Sequence, residues 1–523
     1  MNWNRRIVVF FAFVAGATLT VAFGDLAIQE PWKAPEWTDG LKSTLKVTPE
    51  LLAEGAQIYN TNCVTCHGLA GNGDGILGKE LPIKPANFHT PVVRDQKDGA
   101  LFWKMSEGRG AMPSYKTLLN TDQRWKVLAY IRQLSPQAKL EKAVNLLPVA
   151  NYVIPKNLSS KYIPLPKKIT NAVGSESLVF MVDTVITQLV RPWSMAFLPD
   201  NSILITERSG KLKIVRDGIV LPNPIAGNVP KGLRDVKIHP QFVKNRMVYL
   251  SYYIEPAKPD GGYTVLMRGR LDGDKLVDET IIYKAGPFKD GGETYGSRIA
   301  FDKAGFLYFT VGQRTIDERH RWKTVQDKSN PSGKVLRFND DGTIPRDNPF
   351  VDSVGVLPEI YTFGHRQPQG LIRHPQTGEI WESEHGEMGG SEVNRLKSGG
   401  NYGWPDVTYS RNYDGSLISP DTARVGMESP MHHWVPSIAP SDFDFYYGST
   451  YPGWNGNLFI GAMIQGKLNR TVFKDGSPVH DEKLLDGIGR IRDVKAAPDG
   501  FLYLMIEDTG KIVRLLPLQK IKN

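Results

Sequence analysis

The chain has 523 residues, of which 41% are hydrophobic and 23% charged, and this ordinary globular composition excludes a wholly disordered protein. Its 51 glycines and 36 prolines favour short strands joined by tight turns and argue against a helical bundle. The net charge of +9 is spread along the chain without a nucleic-acid-binding module, so we predict no nucleic-acid partner. At roughly 100–200 residues per domain, the length indicates more than one domain.

The amino terminus has the features of an export signal. Arg5 and Arg6 precede an apolar run at 7–23, and small residues near Gly24 offer a cleavage position. The run is at the lower edge of bilayer-spanning length. We therefore interpret residues 1–24 as a signal peptide, with an uncleaved membrane anchor as the alternative. Both alternatives predict a periplasmic or other extracytoplasmic location, and the anchor would also associate the chain with the membrane.

The only two cysteines, Cys63 and Cys66, stand directly before His67, after a predicted helix that begins at Thr48. Two thiols at this spacing can form thioethers to both vinyl groups of one haem, and the adjacent histidine can ligate the iron. A redox-active dithiol is the alternative. Because both cysteines of the chain occur here together with a histidine, we predict covalently bound haem c with His67 as an axial ligand.

The sixth ligand of the haem iron is predicted to be Met112, which lies between small and rigid residues at 108–113. Met105 is the alternative, but it lies in a predicted helical segment where core packing is the usual role. The order and spacing of the predicted helices, the cysteine pair and the methionine loop resemble a class I cytochrome c. We therefore assign a small all-α domain to residues 45–136. In that family the His/Met pair raises the reduction potential, which suits the domain to accept electrons.

Residues 137–174 contain many prolines and lysines without periodicity, which predicts an extended linker. From residue 175 one unit recurs: an apolar pair, a turn with Pro, Asp, Gly or Asn, and an alternating strand. The six copies occur near Ala196, Ile238, Ile299, Ile372, Tyr451 and Ala496. They predict an all-β six-bladed β-propeller over residues 175–518. A two-sheet sandwich is the alternative, and it would not explain six copies of the same turn.

Motifs between these repeats resemble the soluble quinoprotein glucose dehydrogenase and aldose sugar dehydrogenase family, also called the glucose/sorbosone dehydrogenase family. They are RPWSMAF at 191–197, GLRDV at 232–236, GHRQPQG at 364–370, NYGWP at 401–405, PSIAPS at 436–441 and RIRDV at 490–494. The resemblance implies a propeller that holds pyrroloquinoline quinone (PQQ) and calcium in the channel mouth. It also implies oxidation of the C1 hydroxyl of aldoses.

The resemblance also assigns cofactor residues. Glu392 matches the acidic ligand of a structural calcium, with carbonyls such as that of Tyr402 completing an all-oxygen shell. Gly386 and Glu387 stand where two backbone carbonyls hold the catalytic calcium, although the family prefers proline at the second position. The arginines that match the quinone-binding positions, and that suit a tricarboxylate, are Arg366, Arg490 and Arg492.

Several positions depart from the family pattern, and they include the residues expected to act in catalysis. The family's general base, a histidine four residues before Arg298, is Thr294, and the aspartate that orients it is Gln313. A threonine hydroxyl cannot take a sugar proton at neutral pH unless another base activates it. Further departures fall at Pro230, Gln367 and the pair Ile464 and Gln465. The candidate replacement bases are Glu293, Asp317, His320 and His385.

Two functional hypotheses follow. The first is an oxidoreductase whose PQQ-type propeller oxidises an aldose or alcohol and passes electrons to its own haem c, and then to a redox partner protein or respiratory-chain acceptor. Tethering the haem to the propeller raises its effective concentration at the pocket, which favours this hypothesis. The second is a catalytically degenerate propeller that binds a ligand or docks the cytochrome onto a partner.

Overall fold

The computed structural model describes residues 32–75, 77–78, 81, 83–116, 118–134, 145–255, 262–288, 296–314, 323–412, 415–464 and 466–521. The predicted export segment at 1–24 lies outside these residues, as do five candidate positions: Glu293, Thr294, Asp317, His320 and Gln465. Within the described ranges, no helix combines the length and the apolar character needed to cross a membrane.

Helices make up the first part of the described chain. Thr48 caps the first helix, because its Oγ1 accepts a hydrogen bond from the backbone N–H of Leu51 at 3.2 Å. The helices, which follow a 3-10 turn at Glu36–Gly40, are α1 (Pro49–Asn62), α2 (Val64–His67), α3 (Pro91–Arg94), α4 (Asp98–Glu107) and α5 (Thr121–Gln133). α1 and α5 cross at Gly55, where an added Cβ would lie 2.2 Å from the carbonyl oxygen of Lys126. The crossing therefore depends on the absence of a side chain at Gly55.

Four strands lead into the propeller. They are β1 (Asn145–Leu146), β2 (Tyr152–Val153), β3 (Val173–Gly174) and β4 (Val179–Ile186), with a 3-10 turn at Val149–Asn151. β1 pairs with β3, and β3 pairs with β4. The part of the predicted linker that the structure describes is therefore attached to the first propeller strand.

The remaining strands form blades of four antiparallel strands. The first blade is β5–β8 (Pro192–Phe197, Ile203–Glu207, Lys211–Arg216, Ile219–Val220), and the second is β9–β12 (Leu233–Ile238, Met247–Ile254, Gly262–Asp272, Lys275–Phe288), with α6 at Phe242–Asn245. The third is β13–β16 (Gly296–Phe301, Leu307–Val311, Lys334–Phe338, Ile360–Phe363), with a 3-10 turn at Lys323–Val325. The fourth is β17–β20 (Pro368–Arg373, Ile380–Glu384, Ser391–Arg395, His432–Trp434). The fifth is β21–β24 (Pro440–Tyr446, Asn457–Ala462, Lys467–Lys474, Ser477–Leu485).

The sixth blade closes the ring. It combines β25 (Ile491–Ala496), β26 (Leu502–Ile506) and β27 (Lys511–Lys520) with β4, so that Leu518 lies opposite Val179. β2 also pairs with β27. The innermost strands β5, β9, β13, β17, β21 and β25 contact one another in that order, and β25 contacts β5. The predicted six-bladed propeller is confirmed, and the sandwich alternative is wrong because the first strand completes the last sheet.

A buried guanidinium lies among acids where the inner strands meet. Arg298 is fully buried, and its Nη1 lies 3.5 Å from Asp235, 3.3 Å from Asp442 and 3.8 Å from Asp493. Lys495 pairs with Asp442 and lies 2.8 Å from Asp493. The three carboxylates come from the second, fifth and sixth blades. Charge pairing therefore joins blades that are not neighbours in sequence.

Arg298 also bonds to the backbone of other blades. Its Nε donates to the carbonyl of Gln369 at 2.7 Å, and its Nη2 donates to the carbonyl of Arg492 at 2.9 Å. The guanidinium lies 3.9 Å from the ring centre of Trp193, in the first blade. This single side chain of the third blade therefore contacts all five other blades.

Arg298→Gln tests the importance of this centre. Removing the guanidinium leaves three buried carboxylates with Lys495 and Lys237 as the nearby cations. We therefore expect a loss of about 3–5 kcal/mol of stability in urea unfolding. Arg270→Gln is the matched control, because Arg270 forms an exposed ion pair with Asp278 at 2.9 Å. We expect the control to cost less than about 1 kcal/mol. Equal losses for the two variants would contradict a central role for Arg298.

Candidate functional site

A cavity of about 470 Å³ lies between the helices and the propeller. Helix α1 leads into α2, which carries Cys63, Cys66 and His67 to the cavity wall. Both candidate methionines, Met105 and Met112, line the same cavity. The structure thus brings together all the residues that the sequence assigned to haem binding.

The histidine ring is held in a defined orientation. His67 Nδ1 lies 3.1 Å from the carbonyl of Ala86, and Phe88 stacks on the ring with 4.5 Å between centres. Burial lowers the pKa of His67 to about 4, which keeps the imidazole neutral. With Nδ1 bonded to a carbonyl, Nε2 is the nitrogen left for a metal, the usual arrangement of a ligating histidine. These residues fit a covalently attached haem.

The two methionines differ in their setting. Met105 is 5% exposed and belongs to α4, where it packs in the helical core. Met112 lies in a tight turn in which its N–H donates to the carbonyl of Arg109 at 3.1 Å and its carbonyl accepts from the N–H of Arg109 at 2.9 Å. Met112 thus belongs to a small turn at the cavity wall, whereas Met105 contributes to core packing.

The propeller supplies one wall of this cavity. Its residues there are Met388, Gly389, Tyr409, Arg411, Val435 and Pro436. The two domains also meet at Gly415, where an added Cβ would lie 1.7 Å from the carbonyl carbon of Gly110. Sequence reasoning missed these wall residues, because no motif or periodicity links them to the cytochrome segment; only the glycine-rich stretch 386–390 marks a loop.

A second polar site lies on the loop after β18. Arg366 donates through Nη1 to the carbonyls of His385 at 3.0 Å and Gly386 at 2.8 Å. Its Nη2 forms an ion pair with Glu387 at 2.7 Å. This loop continues into Met388 and Gly389, which line the haem cavity. One short segment therefore connects the two sites.

The other two arginines lie at the start of the sixth blade. Arg492 is 3% exposed, and its Nε donates to Glu507 at 2.9 Å. Arg490 is exposed, and its backbone N–H donates to Asp508 at 3.0 Å. Burial and then the charges of Arg366 and Arg492 lower the pKa of His385 to about 3, with a smaller contribution from Arg490. The charges of all three arginines assigned to quinone binding therefore act on His385, and Arg366 also bonds its carbonyl.

Comparison with known proteins agrees with this architecture. The Glucose / Sorbosone dehydrogenase family model matches residues 189–514. The chain belongs to this family. Residues 50–131 match the model of the family Cytochrome C oxidase, cbb3-type, subunit III. The chain is thus a glucose/sorbosone dehydrogenase family member with an amino-terminal cytochrome c domain, which implies haem c.

Individual relatives cover the propeller. The aldose sugar dehydrogenase YliI of Escherichia coli (strain K12) is 34% identical over 363 residues, 67% of this chain and 96% of that protein. A crystal structure of a glucose dehydrogenase is 36% identical at a TM-score of 0.60 and covers 64% of this chain and 99% of the other. The PQQ-bound form of an aldose sugar dehydrogenase from Streptomyces coelicolor is 25% identical at a TM-score of 0.50, over 64% of this chain and 96% of the other.

Two of the positions that depart from the family pattern, Gln313 and Gln367, are in contact with each other. Gln313, at the position of the orienting aspartate, accepts through Oε1 from the indole N–H of Trp404 at 2.9 Å, and its backbone N–H donates to the carbonyl of Arg366 at 2.6 Å. Gln367 donates to the carbonyl of Gln313 at 3.4 Å. Gln313 therefore positions Trp404. Of the four candidate bases, His385 alone lies within the described residues.

The residues that the family resemblance assigned to calcium lie in the fourth blade. Glu392 is 8% exposed, and burial together with the nearby Glu384 raises the pKa of its carboxyl well above the usual range. In the part of the chain that the structure describes, no lysine or arginine forms an ion pair with Glu392. A buried acid of this kind suits a hard cation.

Methionine variants test which thioether ligates the haem iron. We expect Met112→Ala to abolish the methionine–iron charge-transfer band of the oxidised haem and to lower the reduction potential, because the thioether ligand raises it. Met105→Ala should keep the band. Met388→Ala is the control, since Met388 lines the same cavity from the propeller side. Loss of the band in Met105→Ala alone would assign the ligand to Met105 instead.

Proposed function

We propose that this chain is a periplasmic dehydrogenase of sugars or simple alcohols that uses PQQ in its propeller and passes electrons to its own haem c. A redox partner protein or a respiratory-chain acceptor then takes the electrons from the haem. The observation that carries the proposal is the loop after β18: the carbonyl of Gly386 bonds Arg366, and Met388 and Gly389 line the haem cavity. The export pattern at residues 1–24 supports the location.

The residues of the propeller pocket suit an anionic quinone. PQQ, when bound, supplies the capacity to take up two electrons from a C–H bond, whereas haem c carries one at a time. Arg366, Arg490 and Arg492 would bind its carboxylates through charge-assisted hydrogen bonds. The PQQ-bound Streptomyces coelicolor relative supports this cofactor. Arg366 and Arg492 already pair with Glu387 and Glu507, so quinone binding has to compete with these ion pairs.

Calcium belongs to the same proposal. The carbonyls of Gly386 and Glu387 would hold a catalytic ion, and Glu392 with the carbonyl of Tyr402 a structural one. The Gly386 carbonyl accepts from Arg366 at 2.8 Å, but a carbonyl oxygen has two lone pairs and can bind a cation as well. An all-oxygen set of this kind suits calcium.

His385 is the described residue best placed to take the substrate's hydroxyl proton. Its Nε2 lies 2.8 Å from the carbonyl of Pro440, which fixes the proton on Nε2 and leaves Nδ1 as the acceptor. Burial and the neighbouring arginines lower its pKa to about 3. An anionic cofactor beside those arginines would offset their charge and make Nδ1 a stronger base.

The second candidate function is a non-catalytic propeller that docks the cytochrome onto a partner. The observation in its favour is that side chains expected to contact the quinone or to assist catalysis already have partners within the protein. Arg492 is paired with Glu507, and Gln313 is bonded to Trp404. In this case the pocket would not bind quinone.

Haem reduction discriminates the two functions. Full-length haem-loaded protein is mixed with calcium and PQQ, challenged with a panel of aldoses and simple alcohols, and followed at the reduced-haem band. We expect reduction that requires quinone, calcium and substrate together. Absence of both haem reduction and PQQ binding would exclude the dehydrogenase for this cofactor.

Arg490→Gln tests the quinone site separately. Because a charged hydrogen bond contributes about 1.5–3 kcal/mol, we expect PQQ affinity to fall by roughly 10–150-fold in a direct binding titration. The matched control is Arg395→Gln, which removes an exposed arginine that pairs with Glu379 at 3.4 Å in the fourth blade. PQQ affinity unchanged in Arg490→Gln would remove Arg490 from the site.

Gly415→Ala tests the contact between the domains. The added methyl group would overlap Gly110, so we expect the cytochrome to shift and haem reduction by substrate to slow severalfold. Reduction of a small external acceptor should be unaffected. Gly378→Ala is the control, because Gly378 has a similar φ of 79° against 87° but open space around it. Equal haem reduction rates in both variants would contradict electron transfer across this contact.

A further inference from the structure

A buried cluster of ionisable groups lies in the fourth blade, beneath the loop that holds Arg366 and His385. His365 follows β16, and Glu382 and Glu384 project from the same face of β18 because they are two residues apart. Asn394, on β19, lies opposite Glu382. His365, Glu382 and Asn394 are fully buried, and Glu384 is 4% exposed.

The ligand-type atoms of this cluster are close together. His365 Nδ1 lies 3.3 Å from Glu384 Oε1 and 3.8 Å from Glu382 Oε2. All three residues offer one such atom within 4.8 Å of the others. In a tetrahedral site with metal–ligand bonds of about 2.1 Å, neighbouring ligand atoms are about 3.4 Å apart. The 3.3 Å separation, which is also that of a hydrogen bond between His365 Nδ1 and Glu384 Oε1, matches this spacing, and the 3.8 Å separation is slightly longer.

Part of the cluster's polar capacity is unused. Glu382 Oε1 and Asn394 Oδ1 are buried and have no hydrogen-bond partner. Among the described residues, no lysine or arginine side chain forms an ion pair with Glu382 or Glu384. Burying a carboxylate without a cation or full hydrogen bonding is costly. Apart from His365, no described cationic side chain pairs with these two carboxylates, and a metal ion would supply a positive charge beside them.

The surrounding residues orient the three side chains as outer-sphere partners do in metal sites. Thr362 Oγ1 lies 2.9 Å from His365 Nε2, which leaves Nδ1 for a metal. The backbone N–H of Arg366 donates to Glu384 Oε2 at 2.5 Å, and Asn394 Nδ2 donates to Glu384 Oε1 and to Glu382 Oε2, each at 3.2 Å. These bonds orient the two carboxylates, and each oxygen keeps a further lone pair for a metal. The Tyr402 ring stacks on His365 with 4.7 Å between centres and closes the site.

We propose that His365, Glu382 and Glu384 bind one divalent transition-metal ion, for which Zn²⁺ is the probe. An imidazole nitrogen with carboxylates suits Zn²⁺ and its neighbours in the first transition row better than Ca²⁺, which prefers an all-oxygen shell. The site lies beside the calcium position assigned to Glu392, which is opposite Glu384 in the strand register, but it has a different donor set. It fixes the loop that carries Arg366, and it does not depend on the proposed dehydrogenase activity.

Metal content and stability test this site in the full-length haem-loaded protein. After treatment with a chelator, the protein is titrated with Zn²⁺ by calorimetry, and bound zinc is counted by mass spectrometry separately from haem iron. We expect one Zn²⁺ per chain, retained in excess Ca²⁺, and a thermal midpoint that rises with Zn²⁺ concentration. No zinc binding, or full displacement of zinc by Ca²⁺, would overturn the proposal.

Variants assign the ligands. Glu382→Gln preserves the shape of the side chain, so we expect the variant to fold. Its Zn²⁺ affinity should be lower by more than about 100-fold, and we expect a similar loss of Zn²⁺ affinity in His365→Ala. His374→Ala is the matched control, since His374 is a buried histidine of the same blade whose ring packs on Phe445. It should keep the wild-type affinity. A folded Glu382→Gln protein that binds Zn²⁺ as the wild type does would overturn the assignment.

Discussion

The structure depends on one charge at the centre of the propeller. The Arg298 guanidinium is surrounded by Asp235, Asp442 and Asp493 and bonds to the backbone of the fourth and sixth blades. None of these partners is close to it in sequence, so the charge is fully balanced only when the second, fifth and sixth blades have assembled around the third. A buried ion network of this kind costs free energy unless it is complete, and it therefore favours the closed ring over partly closed arrangements. The pairing of β4 with β27 also favours the closed ring, because it joins the first and last strands of the propeller.

This centre also supports the candidate site. The carbonyl of Arg492 accepts from Arg298, while its side chain pairs with Glu507 near His385. Arg492 is therefore held by the same network that joins the blades. Glu387 and Glu507 balance the positive charges of Arg366 and Arg492. An anionic cofactor would balance the same charges when bound.

The two domains together form the cavity that contains the haem-binding residues. The helices contribute the haem-binding residues, but Met388 and Tyr409 complete the cavity from the propeller. Tyr409 in turn stacks on His433, which lies opposite Glu392 on the neighbouring strand. The haem cavity is thus in packing contact with the blade that holds both the quinone-site loop and the buried His365 cluster. An ion bound in that cluster would stabilise the wall shared by the two domains.

The sequence alone determined the features that are local in the chain. Cys63, Cys66 and His67 are recognisable because haem attachment requires a fixed short spacing, and the propeller because its turn unit recurs. Family resemblance assigned Arg366, Arg490 and Arg492 to quinone binding, and this assignment stays a prediction. The sequence could not show that Arg366 and Arg492 are paired internally, that Gln313 bonds Trp404, or that Met388 faces the haem cavity. Those facts, like the meeting of His365 with Glu382 and Glu384, were decided by tertiary structure, because strand register and blade packing bring together groups that no spacing rule connects.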